Sequence, residues 1–276
     1  MYKYLLAILL TSCGSQEIPT HPNEPIELSI ENKNFKPLQG NSNLFGGLLC
    51  ASGETAFCGF VYKHITPVGN FCRNESRVTP TVCTDKEGSF STDEAYGVLL
   101  FIVANKDKAL ANKFWSYIKR NNYKFCTNAN DDKCIIHPHM YRLMYNVWKY
   151  VKIEPTKQMR VSRLLVSSVL RISASKVEVS YRTHLLMVHF YIERLINNWS
   201  KELQATANIL LHRQPNNLFI QYLSTGTFDK ELFLHYYSER TPKMTQYFIQ
   251  RSDSEQAWRQ SVGWDFQLLK NLYNKD

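Results

Sequence analysis

The sequence predicts a mainly α-helical protein built from antiparallel helical hairpins, with which a bundle and a toroid are both compatible. Three observations predict it. Apolar residues recur with helical period through most of residues 91–273. The breaks between these stretches are short and carry Pro, Asn or Gly, as at Glu154-Pro155 and Gln214-Pro215. The many short links favour helices that fold back on their neighbours.

The elements follow in order. Ser91-Thr92-Asp93-Glu94 has the Ser-x-x-Glu form of a capping box, with two acids at the positive end of a helix. Tyr96, Leu99, Leu100 and Val103 then follow at i, i+3, i+4, i+7. A second helix is expected over 108–120. A third carries Leu143, Met144, Val147, Trp148 and Val151 on one face. A fourth carries Val161, Leu164, Leu165 and Val169. Leu185–Ile196 is apolar enough to be a buried helix, and others are expected near 201–211, 216–223, 229–238 and 264–273. Residues 41–90, rich in Gly, Ser, Thr and Cys, show no sustained helical period and are expected to be loops and short strands.

Hydrophobic residues make up 44% and aromatics 13% of the chain, enough for a substantial core. The formal net charge is +9, yet no run of Lys or Arg exceeds two residues. Such scattered charge suits an anionic lipid or acidic polysaccharide better than nucleic acid, which is not expected as a partner.

The N-terminus has the form of a secretory signal over residues 1–12: Lys3, an apolar run from Tyr4 to Leu10, then small residues. The run is too short to span a bilayer. Leu10-Thr11-Ser12-Cys13 resembles a bacterial lipobox, which implies acylation of Cys13 and a membrane-anchored, exported protein. Gly14-Ser15-Gln16 carries no acid, which in similar lipoproteins favours the outer membrane. Residues 13–40, with Pro19, Pro22, Pro25 and Pro37, read as a semi-extended tether, and 41–276 as one domain.

Apart from Cys13, six cysteines remain, all before residue 135. In an oxidising compartment an even number suggests disulfides. Close spacing favours Cys50–Cys58, Cys72–Cys83 and Cys126–Cys134, although six cysteines permit about 15 connectivities. A metal site from Cys126, Cys134, His137 and His139 lacks CxxC spacing, so no metal is expected. No phosphate loop, dinucleotide fingerprint, Gly-x-Ser-x-Gly or His-Glu-x-x-His occurs, and no cofactor is expected.

The stretch from Gly88 to Leu100 is similar to the Ser-Glu-Gly-Gln-Ser-Tyr-Gly-Met helix start of family 8 glycoside hydrolases. Ser91, Tyr96 and Gly97 agree with that pattern. The resemblance covers about a dozen residues and implies a toroid of helical hairpins that hydrolyses β-linked polysaccharide with inversion. The family's acid falls at Thr92, which cannot protonate a leaving group, so Asp93 or Glu94 would have to act instead.

Glycosidases commonly need a second carboxylate. Asp265, within Trp258-Arg259-Gln260-Ser261-Val262-Gly263-Trp264-Asp265-Phe266, is the candidate base. Trp258 and Trp264 would stack on sugar rings. Arg213, Asn216 and Asn217, in a polar island after His212, and Tyr96 are further candidate sugar-binding residues. Each has a structural alternative as a helix cap, turn or core residue. Two rival functions stay open. Tyr181-Arg182-Thr183-His184 suggests a polysaccharide lyase with His184 near the uronate, and a lipoprotein that binds a glycan or envelope protein without catalysis needs no acid pair.

Overall fold

A computed structural model describes residues 42–73, 75–84, 90–126, 134–162, 181–215, 217–233 and 264–273. Cys13, the signal and the tether lie outside these residues, as do Asn216, Trp258 and most of the fourth expected helix. Nine named α-helices are described: α1 Ser42–Ser52, α2 Thr92–Asn105, α3 Lys108–Arg120, α4 Pro138–Tyr150, α5 Lys157–Ser162, α6 Tyr181–Leu195, α7 Lys201–Arg213, α8 Leu218–Thr225 and α9 Trp264–Tyr273. Backbone from 230 to 233 is also helical. Among the described residues there is no strand, only isolated bridges such as Ile65 with Phe71 and Lys124 with Ile135.

The core is organised around α2. Every residue from Thr92 to Val103 is buried, so this helix has no solvent face. It packs against α1, α3, α4 and α6. Helix α3 is amphipathic in the ordinary way: Leu110, Ala111, Phe114, Trp115, Tyr117 and Ile118 face inward, and Asp107 caps its start by accepting from the Leu110 N–H at 2.9 Å. Helix α4 opens with Pro138 in its first turn and buries Met140, Leu143, Met144, Val147 and Trp148. Helix α7 is capped by Ser200, and α8 ends at Gly226, whose φ of 88° supplies the left-handed turn.

Two expectations are corrected. Residues 42–52 form a helix where loop was expected. Asn43 to Ala51 are buried on all sides, so the segment has no amphipathic period to read. Gly46 and Gly47 lower its intrinsic propensity, and packing overrides that penalty. The second correction concerns the capping box. The Ser91 side chain makes no cap bond and instead donates to the Asp93 carboxylate, while Glu94 reaches across to α1. Beyond α1 the region to residue 84 is loop and short 3-10 turns. Disulfides join Cys50–Cys58, Cys72–Cys83 and Cys126–Cys134, with Cα separations of 4.8, 5.3 and 5.1 Å. Phe71 and Phe90 pack edge-on against Phe114 at 5.3 and 5.9 Å between ring centroids, which fastens the loop region onto α3.

The tightest joint in the fold is α1 against α2. A Cβ on Gly97 would lie 2.2 Å from the Asn43 carbonyl carbon and 2.4 Å from the Leu44 nitrogen. A Cβ on Gly47 would lie 2.6 Å from the Gly97 carbonyl oxygen. Backbone, not a flexible side chain, is what each would meet, so the helices would have to separate. Gly97→Ala is therefore expected to destabilise the protein by about 2–3 kcal/mol or more through overpacking, despite alanine's higher helix propensity. Denaturant unfolding of this variant beside Ala95→Gly checks it: an unchanged midpoint for Gly97→Ala would show that the helices can part at little cost.

Candidate functional site

Helix α2 places its polar groups on different sides. Glu94 and Gly97, three residues apart, both face α1. Glu94 Oε2 accepts from the Asn43 backbone N–H at 3.2 Å and from Asn43 Nδ2 at 2.7 Å, so it closes the first turn of α1. Asn43 also donates to the Cys72 carbonyl at 3.0 Å, and its Oδ1 lies 2.7 Å from His64 Nδ1. Glu94 is wholly buried, and its Oε1 has no hydrogen-bond partner among the described residues. Burial first, then the Asp93 charge, pushes its pKa well above the usual carboxylate range, against Arg73 and the Asn43 bonds. Burial also lowers the His64 pKa to about 4, with Lys63 adding to the shift, so that imidazole is neutral at neutral pH.

Asp93 sits beside this network but is tied differently. It accepts from the Ser91 hydroxyl, and its other oxygen lies 4.0 Å from an Arg73 guanidinium nitrogen. Arg73 also donates to Ser91 Oγ at 3.3 Å. Asp93 is 2% exposed, so both acids of the motif are interior groups.

A second polar cluster joins α2, α4 and α6. Tyr96, one turn beyond Asp93, brings its hydroxyl to 3.4 Å from His189 Nδ1. The His139 ring lies 6.0 Å from that of His189 and stacks on exposed His137 at 5.6 Å. Glu193, one turn beyond His189, accepts from Asn146 at 2.9 Å and Asn198 at 2.7 Å. His189 Nε2 is 3.7 Å from Glu193 Oε1. Burial, with His139 and Arg142 nearby, holds the His189 pKa well below normal, so this contact involves a neutral imidazole. Burial likewise lowers the His139 pKa to about 4, with His137 adding to the shift. The imidazoles thus step inward from exposed His137 to His189, at 0% exposure.

The other sequence-predicted residues do not gather here. Asp265 and Trp264 begin α9; that helix packs on α1 through Gln267 to Glu54, and Asn271 to Ser52 at 2.9 Å. Those contacts are at the C-terminal end of α1, whereas Glu94 binds Asn43 at its N-terminal end. Nine residues at 1.5 Å each separate the two ends by about 14 Å. The described contacts of α9 thus lie at the end of α1 away from Glu94. Arg213 ends α7 on the surface. Asn217 is committed as the N-cap of α8, accepting from the Ile220 N–H at 3.2 Å. His184 is a buried residue of α6, 1% exposed. The Cys126–Cys134 disulfide removes both thiolates from any metal site with His137 and His139. No helix among the described residues is long and apolar enough to cross a membrane.

Sequence reasoning missed Asn43, His64, His189 and Glu193. His189 and Glu193 stand at i, i+4, a legible spacing, but they sit inside an apolar run. At the surface, cations lie over rings: Lys149 over Tyr145 at 5.5 Å, Lys106 over Tyr150 at 5.7 Å, Arg194 over Trp199 at 4.2 Å and Lys230 over Tyr273 at 4.7 Å.

Compared with known protein families, curated proteins and solved structures, the chain matches none.

The two Glu94 variants separate a structural from a catalytic acid. Glu94→Ala takes the acceptor from the buried Asn43 backbone N–H and from one Nδ2 hydrogen, leaving Nδ2 only the Cys72 carbonyl, and opens a cavity, and is expected to cost about 3 kcal/mol or more. Glu94→Gln keeps an oxygen for Asn43. Because the folded pKa is raised, the carboxyl penalises folding only above its ordinary value of 4.5, and increasingly so as pH rises towards its folded value. Glu94→Gln should therefore gain stability relative to the wild type between pH 4.5 and 7. Chemical denaturation at both pH values tests this; equal damage from Gln and Ala at pH 7 would refute it.

Proposed function

We propose that this chain is an exported, lipid-anchored protein whose helical domain holds an anionic glycan at its surface without cleaving it. The observation that carries this reading is the set of exposed and half-exposed cations lying over aromatic rings, on a chain of net charge +9. Rings stack on sugar faces, and the adjacent cations suit the carboxylates of an acidic polymer. Three disulfides support export, since such bonds persist in oxidising compartments. Anchorage would be through Cys13, with the outer membrane as the expected destination.

Two-carboxylate hydrolysis, the activity implied by the resemblance to family 8, has less support. Glu94 serves the start of α1, and Asp93 is held by Ser91 and Arg73. A toroid arrangement keeps some support. His139 meets His189 and, farther along both helices, Asn146 meets Glu193, so α4 and α6 run in the same direction with other elements between them in sequence. Inner helices of a toroid have that relation.

One observation favours a second reading. Tyr96, His189, His139 and Arg142 form the kind of group that could abstract a proton beside a uronate carboxylate, as in a polysaccharide lyase. These residues, rather than Tyr181 to His184, would then carry the chemistry.

Incubation with neutral and uronate-containing polysaccharides separates the readings. The expected result is co-sedimentation with uronate polymers, weakening with salt as exposed charges are screened, and no change in the polymer. New reducing ends that vanish in Asp93→Asn would establish hydrolysis. New ultraviolet absorbance from unsaturated uronates, lost in Tyr96→Phe and His189→Gln, would establish the lyase. A folded wild type that neither binds nor alters any polymer would end the glycan assignment.

Anchorage is tested separately. Mass spectrometry of the protein from a bacterial host should find an acylated Cys13 as the first residue, and Cys13→Ser should release the protein from membranes. An unacylated N-terminus, or unchanged membrane association of Cys13→Ser, would refute it.

A further inference from the structure

Among the described residues, helix α4 has a second side apart from its inward core residues. Its inward residues are Met140, Leu143, Met144, Val147 and Trp148, which fix its rotation. Its cap His137 and then Tyr141, Tyr145 and Lys149 follow at four-residue steps along an inclined ridge of the helix surface. His137 and Lys149 are exposed, and Tyr141 and Tyr145 are half-buried. Twelve residues at 1.5 Å make the ridge about 18 Å long, enough for several consecutive sugar rings.

The ridge is rigid and chemically mixed. The Tyr145 ring carries the Lys149 ammonium 5.5 Å above it, and the His137 ring is stacked within 8° of His139. Tyr123, 41% exposed and bonded to Gln158 at 3.2 Å, stands beside Tyr141; burial first and Tyr123 second push the Tyr141 pKa up, so its hydroxyl stays a neutral donor and acceptor. Positive charge lies at the ridge's C-terminal end in exposed Lys149 and, just beyond the helix, exposed Lys152. The nearby acid Glu154 is paired with Arg160.

We infer that the His137–Tyr141–Tyr145–Lys149 ridge of α4 is the surface that takes an anionic polysaccharide, its rings stacking on sugar faces and Lys149 meeting the carboxylates. The inference rests on the glycan-binding function proposed above and locates it. Of the surface pairs, this one lies on a continuous line of rings. The Trp199 pair is more committed inside the fold: Arg194 Nε donates to the Leu223 carbonyl at 2.6 Å and Trp199 Nε1 to Gln204 at 2.7 Å.

Binding is measured with the full chain against polygalacturonate, with uncharged hydroxyethyl cellulose as the comparison. Tyr145→Ala and Lys149→Glu are each expected to weaken polygalacturonate binding about tenfold. Tyr145→Phe, which keeps the ring, should bind as the wild type does. Lys201→Glu, the same charge change on α7, should change binding much less than Lys149→Glu. Far-ultraviolet circular dichroism and thermal unfolding confirm that each variant is folded. Wild-type binding with no loss in Tyr145→Ala would leave the glycan function standing and overturn the ridge. Equal weakening by Lys149→Glu and Lys201→Glu would show diffuse charge attraction and also overturn it. Equal binding of the uncharged polymer would overturn the anionic specificity. Absence of wild-type binding to either polymer would overturn the glycan function itself, and the ridge with it.

Discussion

The architecture depends on one backbone-to-backbone approach, where α1 lies against α2 with no side chain between Gly97 and Asn43. Helices this close need glycine at the crossing, and Gly47 supplies it from the other side. The same approach brings Glu94 within reach of Asn43. The carboxyl is therefore a consequence of the crossing as well as a support for it. Through Asn43 the network continues to the Cys72 carbonyl and His64, so the loop-rich region is hydrogen-bonded to the central helix at its buried end.

Burying α2 on every side has a cost that the structure meets in an orderly way. The polar side chains at its start have no water to turn to, and most of their atoms find partners on other elements. Asp93 takes Ser91 and Arg73, Glu94 takes Asn43, and Tyr96 takes His189. Neutral forms dominate where partners are few: His64, His139 and His189 all have depressed pKa values because burial opposes their charged state. The interior around α2 is thus mainly apolar, with its few polar groups gathered near the start of the helix. That combination suits a support for a surface site, with the exposed cations and rings left to meet a ligand.

Much of the helical order was legible because exposed faces write a pattern. Lys108–Arg120 and Lys201–Arg213 fall close to the ranges expected from period and caps, since each has one wet side, and Trp264–Tyr273 also falls on its expected range. Helix α1 was not legible for the opposite reason: it is buried all round and interrupted by Gly46-Gly47, so only its packing explains it. The apparent capping box misled because the partner of Glu94 lies 51 residues earlier in the chain. Sequence marked Asp93, Glu94 and Tyr96 as belonging together. It could not show that Glu94 faces α1 while Tyr96 meets His189 on α6. Nor could it show that Asn271 of α9 meets Ser52 at the C-terminal end of α1, because that depends on how α9 docks.

The disulfides carry a consequence for how the chain is made. Beyond Cys13, each cysteine is bonded to the next one along the chain: Cys50 to Cys58, Cys72 to Cys83, Cys126 to Cys134. A chain emerging from its N-terminus presents these thiols two at a time, and the correct partner is always the next to arrive. No bridge has to wait for a distant segment, and none locks one helix to another before the helices have packed. Oxidation can thus keep pace with the emergence of the chain, without a later stage of reshuffling.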